Sequence, residues 1–209
     1  MKSINLDITH RCTLECSRCE RIRWTARGEK VPGEDMELYA YLKILNYFDH
    51  INFCGNRADP VFNPNFIQFL AINKKRNKSC EIHNAATGKN LAWYQRAFKA
   101  NTDAVWHFGI DGLPEKSHLY RKNQKGKQLY EAMLLCKKMG LKTIWNHIIF
   151  KYNEDDLHLC EWMAEEHGIE IRFIKSSRFF EKDPLKPVHP HNYIKREGYD
   201  KAVPEMFKP

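Results

Sequence analysis

The chain has 209 residues, of which 43% are hydrophobic and 12% aromatic, and its formal net charge is +8. That length and composition suit one globular domain with a buried core, and no apolar run approaches the roughly 18 residues of a membrane span. The segment Met1 to Ile8 lacks the long apolar stretch of a signal peptide, so we expect a cytoplasmic protein with no membrane partner.

Short β-branched or aromatic runs alternate with amphipathic stretches along the chain, which predicts β/α units around a parallel sheet. The predicted strands are Ile4 to Thr9, Ile51 to Gly55, Ser79 to Ala85, Ala104 to Asp111, Thr143 to Phe150 and Glu170 to Lys175. Six such units with right-handed crossovers curl into an incomplete barrel. The expected fold class is therefore α/β, a partial (β/α)6 barrel with its functional loops at the carboxyl ends of the strands.

Amphipathic spacing predicts the helices between these strands. Met36 to Phe48 is predicted to be one helix, with Leu38, Leu42 and Leu45 on its buried face. Another is predicted over Glu154 to His167, where acidic residues occupy the first turn.

The pattern changes after Ser177, because prolines at positions 184, 187 and 190 exclude a regular helix or a central strand. We predict a core domain over residues 1–177 and a short irregular C-terminal tail over residues 178–209. The tail is expected to pack on or near the barrel opening, with Arg178 to Tyr199 as its cover.

Three of the seven cysteines, Cys12, Cys16 and Cys19, lie in one loop after the first predicted strand. Thiolates are the usual ligands of iron–sulfur clusters, and a cubane held by three of them leaves one iron open. The alternative is a zinc-dependent nucleic-acid-binding module in which His10 is the fourth ligand. The remaining cysteines are scattered and are predicted to be packing residues: Cys54, Cys80, Cys136 and Cys160.

The spacing Cys-x3-Cys-x2-Cys after a first strand resembles the signature of the radical S-adenosylmethionine (SAM) superfamily. The resemblance implies a [4Fe-4S] cluster on Cys12, Cys16 and Cys19, and a barrel of the radical SAM type. It also implies SAM bound to the open iron and cleaved to methionine and a 5′-deoxyadenosyl radical. Arg18 departs from the family, which usually has an apolar residue before the third cysteine.

Two further segments resemble members of that superfamily and imply contacts with SAM. The stretch from Asp59 to Phe66 is similar to the one that follows paired glycines in many members. It implies contacts from Gly55, Asn56, Ala58 and Asp59. The stretch from Gly109 to Arg121 resembles the SPASM/Twitch subgroup, which modifies peptides and proteins, and implies contacts from Asp111 and Arg121. No cysteine follows Cys160, so no auxiliary cluster is expected.

Asn146 lies on the fifth predicted strand, and we expect it to point into a barrel of mostly apolar residues. Its side chain is predicted either to bond the ribose of SAM or to satisfy a buried backbone group.

The substrate and the catalytic residues that act on it stay open. The SPASM-like segment favours a peptide or protein, whereas the basic segments Arg21 to Lys30 and Arg121 to Lys127 favour a nucleotide or nucleic acid. The implied chemistry consumes an electron, so a reductant protein such as a flavodoxin or ferredoxin is an expected partner.

Overall fold

The computed structural model describes residues 1–195, and a six-stranded parallel sheet forms its centre. The strands are β1 (Ser3–Leu6), β2 (His50–Phe53), β3 (Ser79–Asn84), β4 (Val105–Gly109), β5 (Thr143–Ile148) and β6 (Glu170–Ile174). They pair in chain order from β1 to β6, and every pair is parallel. Within the described residues β1 does not pair with β6, so the sheet is open and the predicted partial barrel is confirmed.

Every strand ends one or more residues earlier than predicted, and at several strand ends a polar side chain accepts hydrogen bonds from the backbone. Asp7, for example, accepts a hydrogen bond from the backbone N–H of Asn56 at 3.1 Å instead of continuing β1. Likewise, the Asp111 carboxylate accepts from the N–H of Ile148 at 2.8 Å. The shortened strands leave their carboxyl ends free to form loops.

Among residues 1–195, six α-helices connect or follow the strands: α1 (Ile22–Thr25), α2 (Leu38–Ile44), α3 (Phe66–Lys75), α4 (Leu91–Ala100), α5 (Gly126–Lys138) and α6 (Leu157–Glu166). The core lies between the helices and the outer face of the sheet, where Phe98 of α4 meets Trp106 of β4 edge to face at 4.9 Å. Within residues 1–195 no helix has both the length and the apolar character that a membrane crossing requires.

Helix α2 is shorter than predicted and buries a residue that the leucine spacing does not reveal. Its start is delayed because Met36 donates its N–H to the carbonyl of Ile8 at 2.8 Å, and Glu37 is extended. Tyr41 is fully buried, and its hydroxyl donates to Asn73 Oδ1 at 2.6 Å. Leu42 is only half-buried.

The concave face of the sheet is polar, and the expectation of a mostly apolar barrel interior was wrong. Successive side chains of a strand point to opposite faces, so the apolar residues that pack on the helices alternate with inward residues. The inward set includes Asn5, Asn52, Glu81, His83, His107, Asn146 and Arg172. These residues bond one another, as in the 3.0 Å hydrogen bond from Asn52 Nδ2 to Asn5 Oδ1.

The described part of the tail packs against the barrel and the cysteine loop. Phe179 is buried beside Leu14 and Cys16. Arg18 lies over the ring of Phe180 at 4.8 Å and forms an ion pair with Asp183 at 2.7 Å. Arg18 therefore faces the tail, which accounts for a charged residue at that position. The division into two domains stays a prediction, and residues 196–199 of the predicted cover lie outside the described part of the chain.

Candidate cofactor site

A cavity of about 210 Å³ opens at the carboxyl ends of the strands. It brings together nine of the residues predicted to bind the cofactors: Cys12, Cys16, Cys19, Gly55, Asn56, Ala58, Asp59, Arg121 and Asn146. Asp111, the tenth, lies behind Arg121. The structure thus assembles segments that are far apart in sequence, although their contacts with SAM stay predictions.

The three cysteines of the loop after β1 are free thiols with restricted access to solvent. Cys16 is 9% exposed, and Cys12 and Cys19 are half-buried. Burial raises the pKa of the Cys12 thiol to about 12 and that of the Cys16 thiol to about 11. Thiols in this setting become thiolates when a metal binds, because ligation replaces their protons.

The position of His10 does not support zinc at the cysteine loop. A structural zinc site takes four protein ligands, whereas a cubane can be held by three thiolates that leave one iron open. His10, the expected fourth zinc ligand, does not line the cavity, and within residues 1–195 its buried Nδ1 has no hydrogen-bond partner.

Arg21 fastens the cysteine loop to the loop after β2. Its Nη1 donates to the carbonyl of His10 at 2.6 Å and to that of Arg57 at 2.7 Å. Farther along, Arg27 pairs with Glu29 at the surface. Arg21 is therefore engaged within the protein, whereas Arg27 remains exposed at the surface.

Gly55 allows the loop after β2 to fold tightly beside the cysteines. A Cβ atom at this position would lie 1.7 Å from the carbonyl oxygen of Ala58, so every other residue is excluded. The next residue, Asn56, places its carbonyl 3.9 Å from the sulfur of Cys19.

The Asp59 carboxylate is already engaged within the protein. It accepts hydrogen bonds from the backbone N–H groups of Ala85 at 2.8 Å and Ala86 at 2.7 Å, from Asn84 Nδ2 at 3.0 Å and from the N–H of Val61 at 3.3 Å. Burial raises the pKa of this carboxyl group, while the hydrogen bonds from Ala86 and Ala85 act in the opposite direction. The side chain thus holds the loop after β2 against the end of β3. The contact of Asp59 with SAM stays a prediction.

Arg121 reaches the cavity as one partner of a buried ion pair. Its Nε lies 2.7 Å from Asp111 Oδ2, and the two side chains are 15% and 0% exposed. The pKa of Arg121 is raised by the carboxylate of Asp111 against the opposing effect of burial. Gly109 leaves room for the guanidinium, because a Cβ there would lie 3.0 Å from Arg121 Nη2. Asp111 therefore positions Arg121 and does not itself line the cavity.

The floor of the cavity contains functional groups that the sequence analysis missed. His83 of β3 and His107 of β4 line it beside Asn146, whose Nδ2 lies 3.5 Å from His107 Nδ1. Glu81 Oε2 lies 2.9 Å from His107 Nε2. The sequence pattern that could have revealed them is the alternation of polar and apolar residues in β3 and β4, because it places these polar side chains on one face of the sheet.

Comparison with known proteins supports the same architecture. No family model matches the chain. A curated protein of Pyrococcus furiosus, the tungsten-containing aldehyde ferredoxin oxidoreductase cofactor-modifying protein, is 29% identical over 119 residues, which are 54% of this chain and 32% of that protein. The chain thus spans about a third of this relative.

Two solved structures have the same fold. Streptococcus suis SuiB bound to S-adenosylmethionine has a TM-score of 0.69 at 13% identity, over 90% of this chain and 43% of that one. The protein anSMEcpe with bound AdoMet and Cp18Cys peptide has a TM-score of 0.65 at 13% identity, over 88% and 54% respectively. At these identities the likeness establishes the fold.

Proposed function

The chain has the fold of the radical SAM superfamily, and we propose that it is a radical SAM enzyme with one [4Fe-4S] cluster. The observation that carries the proposal is the position of Cys12, Cys16 and Cys19. These free thiols lie at the carboxyl ends of the strands of an open parallel barrel, on the cavity that Arg121 also lines. Three thiolates provide a cubane with one open iron.

The residues around the cavity have distinct tasks in this reaction. When bound, the cluster supplies the electron that cleaves the sulfonium of SAM, which yields methionine and a 5′-deoxyadenosyl radical that abstracts hydrogen from the substrate. The guanidinium of Arg121 is suited to the SAM carboxylate, because it offers parallel donors. Asp111 fixes its orientation. Leu14 of the cysteine loop packs in one buried cluster with Phe179 of the tail, and this apolar cover restricts water, which would divert a radical.

A peptide or protein is the favoured substrate. Two proteins with this fold were solved with peptides, SuiB with its precursor peptide SuiA and anSMEcpe with Cp18Cys. Arg21, one residue of the first basic segment, is held by two backbone carbonyls and is not free to bind a phosphate. An external reductant, such as a flavodoxin or ferredoxin, delivers the electron.

Iron and sulfide analysis of the anaerobically reconstituted protein tests the proposal. We expect brown protein with about four iron and four sulfide per chain. The matched control changes all three loop cysteines to serine and should remain colourless. A colourless wild-type protein with zinc bound by the same cysteines contradicts the proposal, and roughly eight iron per chain contradicts a single cluster.

Substitution of Arg121 by lysine tests the contact with SAM. Arg121→Lys keeps the positive charge beside Asp111 but removes the paired donors. Loss of one charge-assisted hydrogen bond of about 1.5–3 kcal/mol lowers SAM affinity about ten- to a hundredfold. Equilibrium dialysis with labelled SAM measures this, with Arg27→Lys at the surface as the control. Unchanged affinity, with the cluster intact, refutes the contact.

A further inference from the structure

A second group of metal-ligand side chains lies on the concave face of the sheet, apart from the cysteines. Glu81 and His83 come from β3, and His107 comes from β4, where the register pairs it with His83. One ligand atom from each of the three residues lies within 4.8 Å of the others. A carboxylate with two imidazoles is a donor set that binds zinc or iron(II) in proteins.

The group of Glu81, His83 and His107 can be reached from the cavity, because His83 and His107 both line that cavity. The Glu81 side chain is 36% exposed. Burial lowers the pKa of His83 to about 4 and also lowers that of His107, so both rings are neutral at pH 7 and retain a lone pair for a metal. The positive charge of nearby Arg172 is offset by Glu170, because the Glu170 carboxylate lies 2.6 Å from Arg172 Nε.

We propose that Glu81, His83 and His107 bind one divalent metal ion, with zinc as the ion to test, on the concave face next to the SAM cavity. Three protein ligands leave a coordination position open toward the cavity. A carboxylate or thiolate of the substrate takes that position. This last step rests on the proposed function, whereas the binding of the metal does not.

Binding requires two small adjustments. The rings of His83 and His107 are stacked at 4.2 Å with 10° between their planes, so one must turn for both to aim at the same ion. His83 turns without losing a hydrogen bond, since its ring makes none within residues 1–195.

The metal takes the place of the proton between His107 Nε2 and Glu81 Oε2, which lie 2.9 Å apart. That proton moves to Nδ1, next to Asn146. The amide of Asn146, rotated by half a turn, accepts it and orients the ring, as partners of metal-bound histidines commonly do. The ring keeps one proton throughout, so no proton is released.

Zinc titration of the cluster-loaded protein tests this site, because the cysteines are then occupied by iron. Plasma mass spectrometry after equilibrium dialysis counts zinc and iron in the same sample. We expect one zinc per chain in the wild-type protein and affinity lower by on the order of a hundredfold in Glu81→Gln and His83→Gln, since even outer partners of a ligand contribute ten- to a hundredfold. The iron count should stay unchanged.

Two controls separate this site from the cysteines and from misfolding. His50→Gln, on the surface end of β2, should retain the zinc. The variant with serine at all three loop cysteines should retain it too, while it loses its iron. Glu81→Gln alters a partly exposed side chain and keeps its shape, so it tests the site even if a histidine variant does not fold. Absence of stoichiometric zinc in the wild type, or zinc affinity in Glu81→Gln and His83→Gln equal to that of the wild type, overturns the proposal.

Discussion

Replacement of Cys16 by alanine is expected to abolish reductive cleavage of SAM. Cys16 belongs to the loop after β1 and is the most buried of its three thiols. Without it only two thiolates remain for the cubane, which needs ligands for its other irons. The measurement is chromatographic quantification of 5′-deoxyadenosine after anaerobic reaction with dithionite and SAM, for which we expect no product above background.

Two other cysteines provide matched controls for this variant. Cys136 is fully buried in α5 and Cys54 is half-buried after β2, and neither belongs to the loop. Cys54→Ala and Cys136→Ala should both retain cleavage, although the buried position loses some stability. Cleavage at the wild-type rate in Cys16→Ala contradicts the assignment of the cluster.

Replacement of Asp111 by alanine is expected to reduce the free energy of unfolding by about 3–5 kcal/mol. The carboxylate is fully buried and pairs with Arg121 at 2.7 Å, so its loss leaves a buried guanidinium without its counter-charge. The N–H of Ile148 also loses its acceptor. Urea unfolding followed by circular dichroism measures the change.

The loss of stability in Asp111→Ala is expected to be large because the ion pair is buried. An ion pair at the surface provides the comparison. Asp49→Ala removes the partner of Lys78, where the side chains are 53% and 21% exposed, and should lower the free energy of unfolding far less than Asp111→Ala does. Adding Arg121→Met to Asp111→Ala should recover part of the loss, because it removes the unpaired charge. Equal effects of Asp111→Ala and Asp49→Ala contradict the buried pair.

The order of the strands could be predicted from sequence because each strand carries a strong local signal. Apolar residues such as Ile51 and Trp106 are spaced for burial, and the chain between strands is long enough for a parallel crossover. The cysteine loop could also be predicted, since its three cysteines lie close together in the sequence. Strand ends were predicted too late, because Asp7 and Asp111 replace ladder hydrogen bonds through contacts distant in sequence.

The interior of the barrel was predicted incorrectly because the sequence does not show which face the helices cover. In β3 the polar Glu81 and His83 alternate with the buried Cys80 and Ile82, which fits either an inward or an outward polar face. The roles of Asp59 and Asp111 were also beyond sequence reasoning. Their side chains bond backbone groups that only the folded chain brings near.

The most direct test of the central claim is a count of products from the unmodified, reconstituted protein with dithionite and SAM under anaerobic conditions. We expect methionine and 5′-deoxyadenosine in equal amounts, both dependent on the reductant. SAM that stays intact in a preparation with a full complement of cluster iron would contradict it.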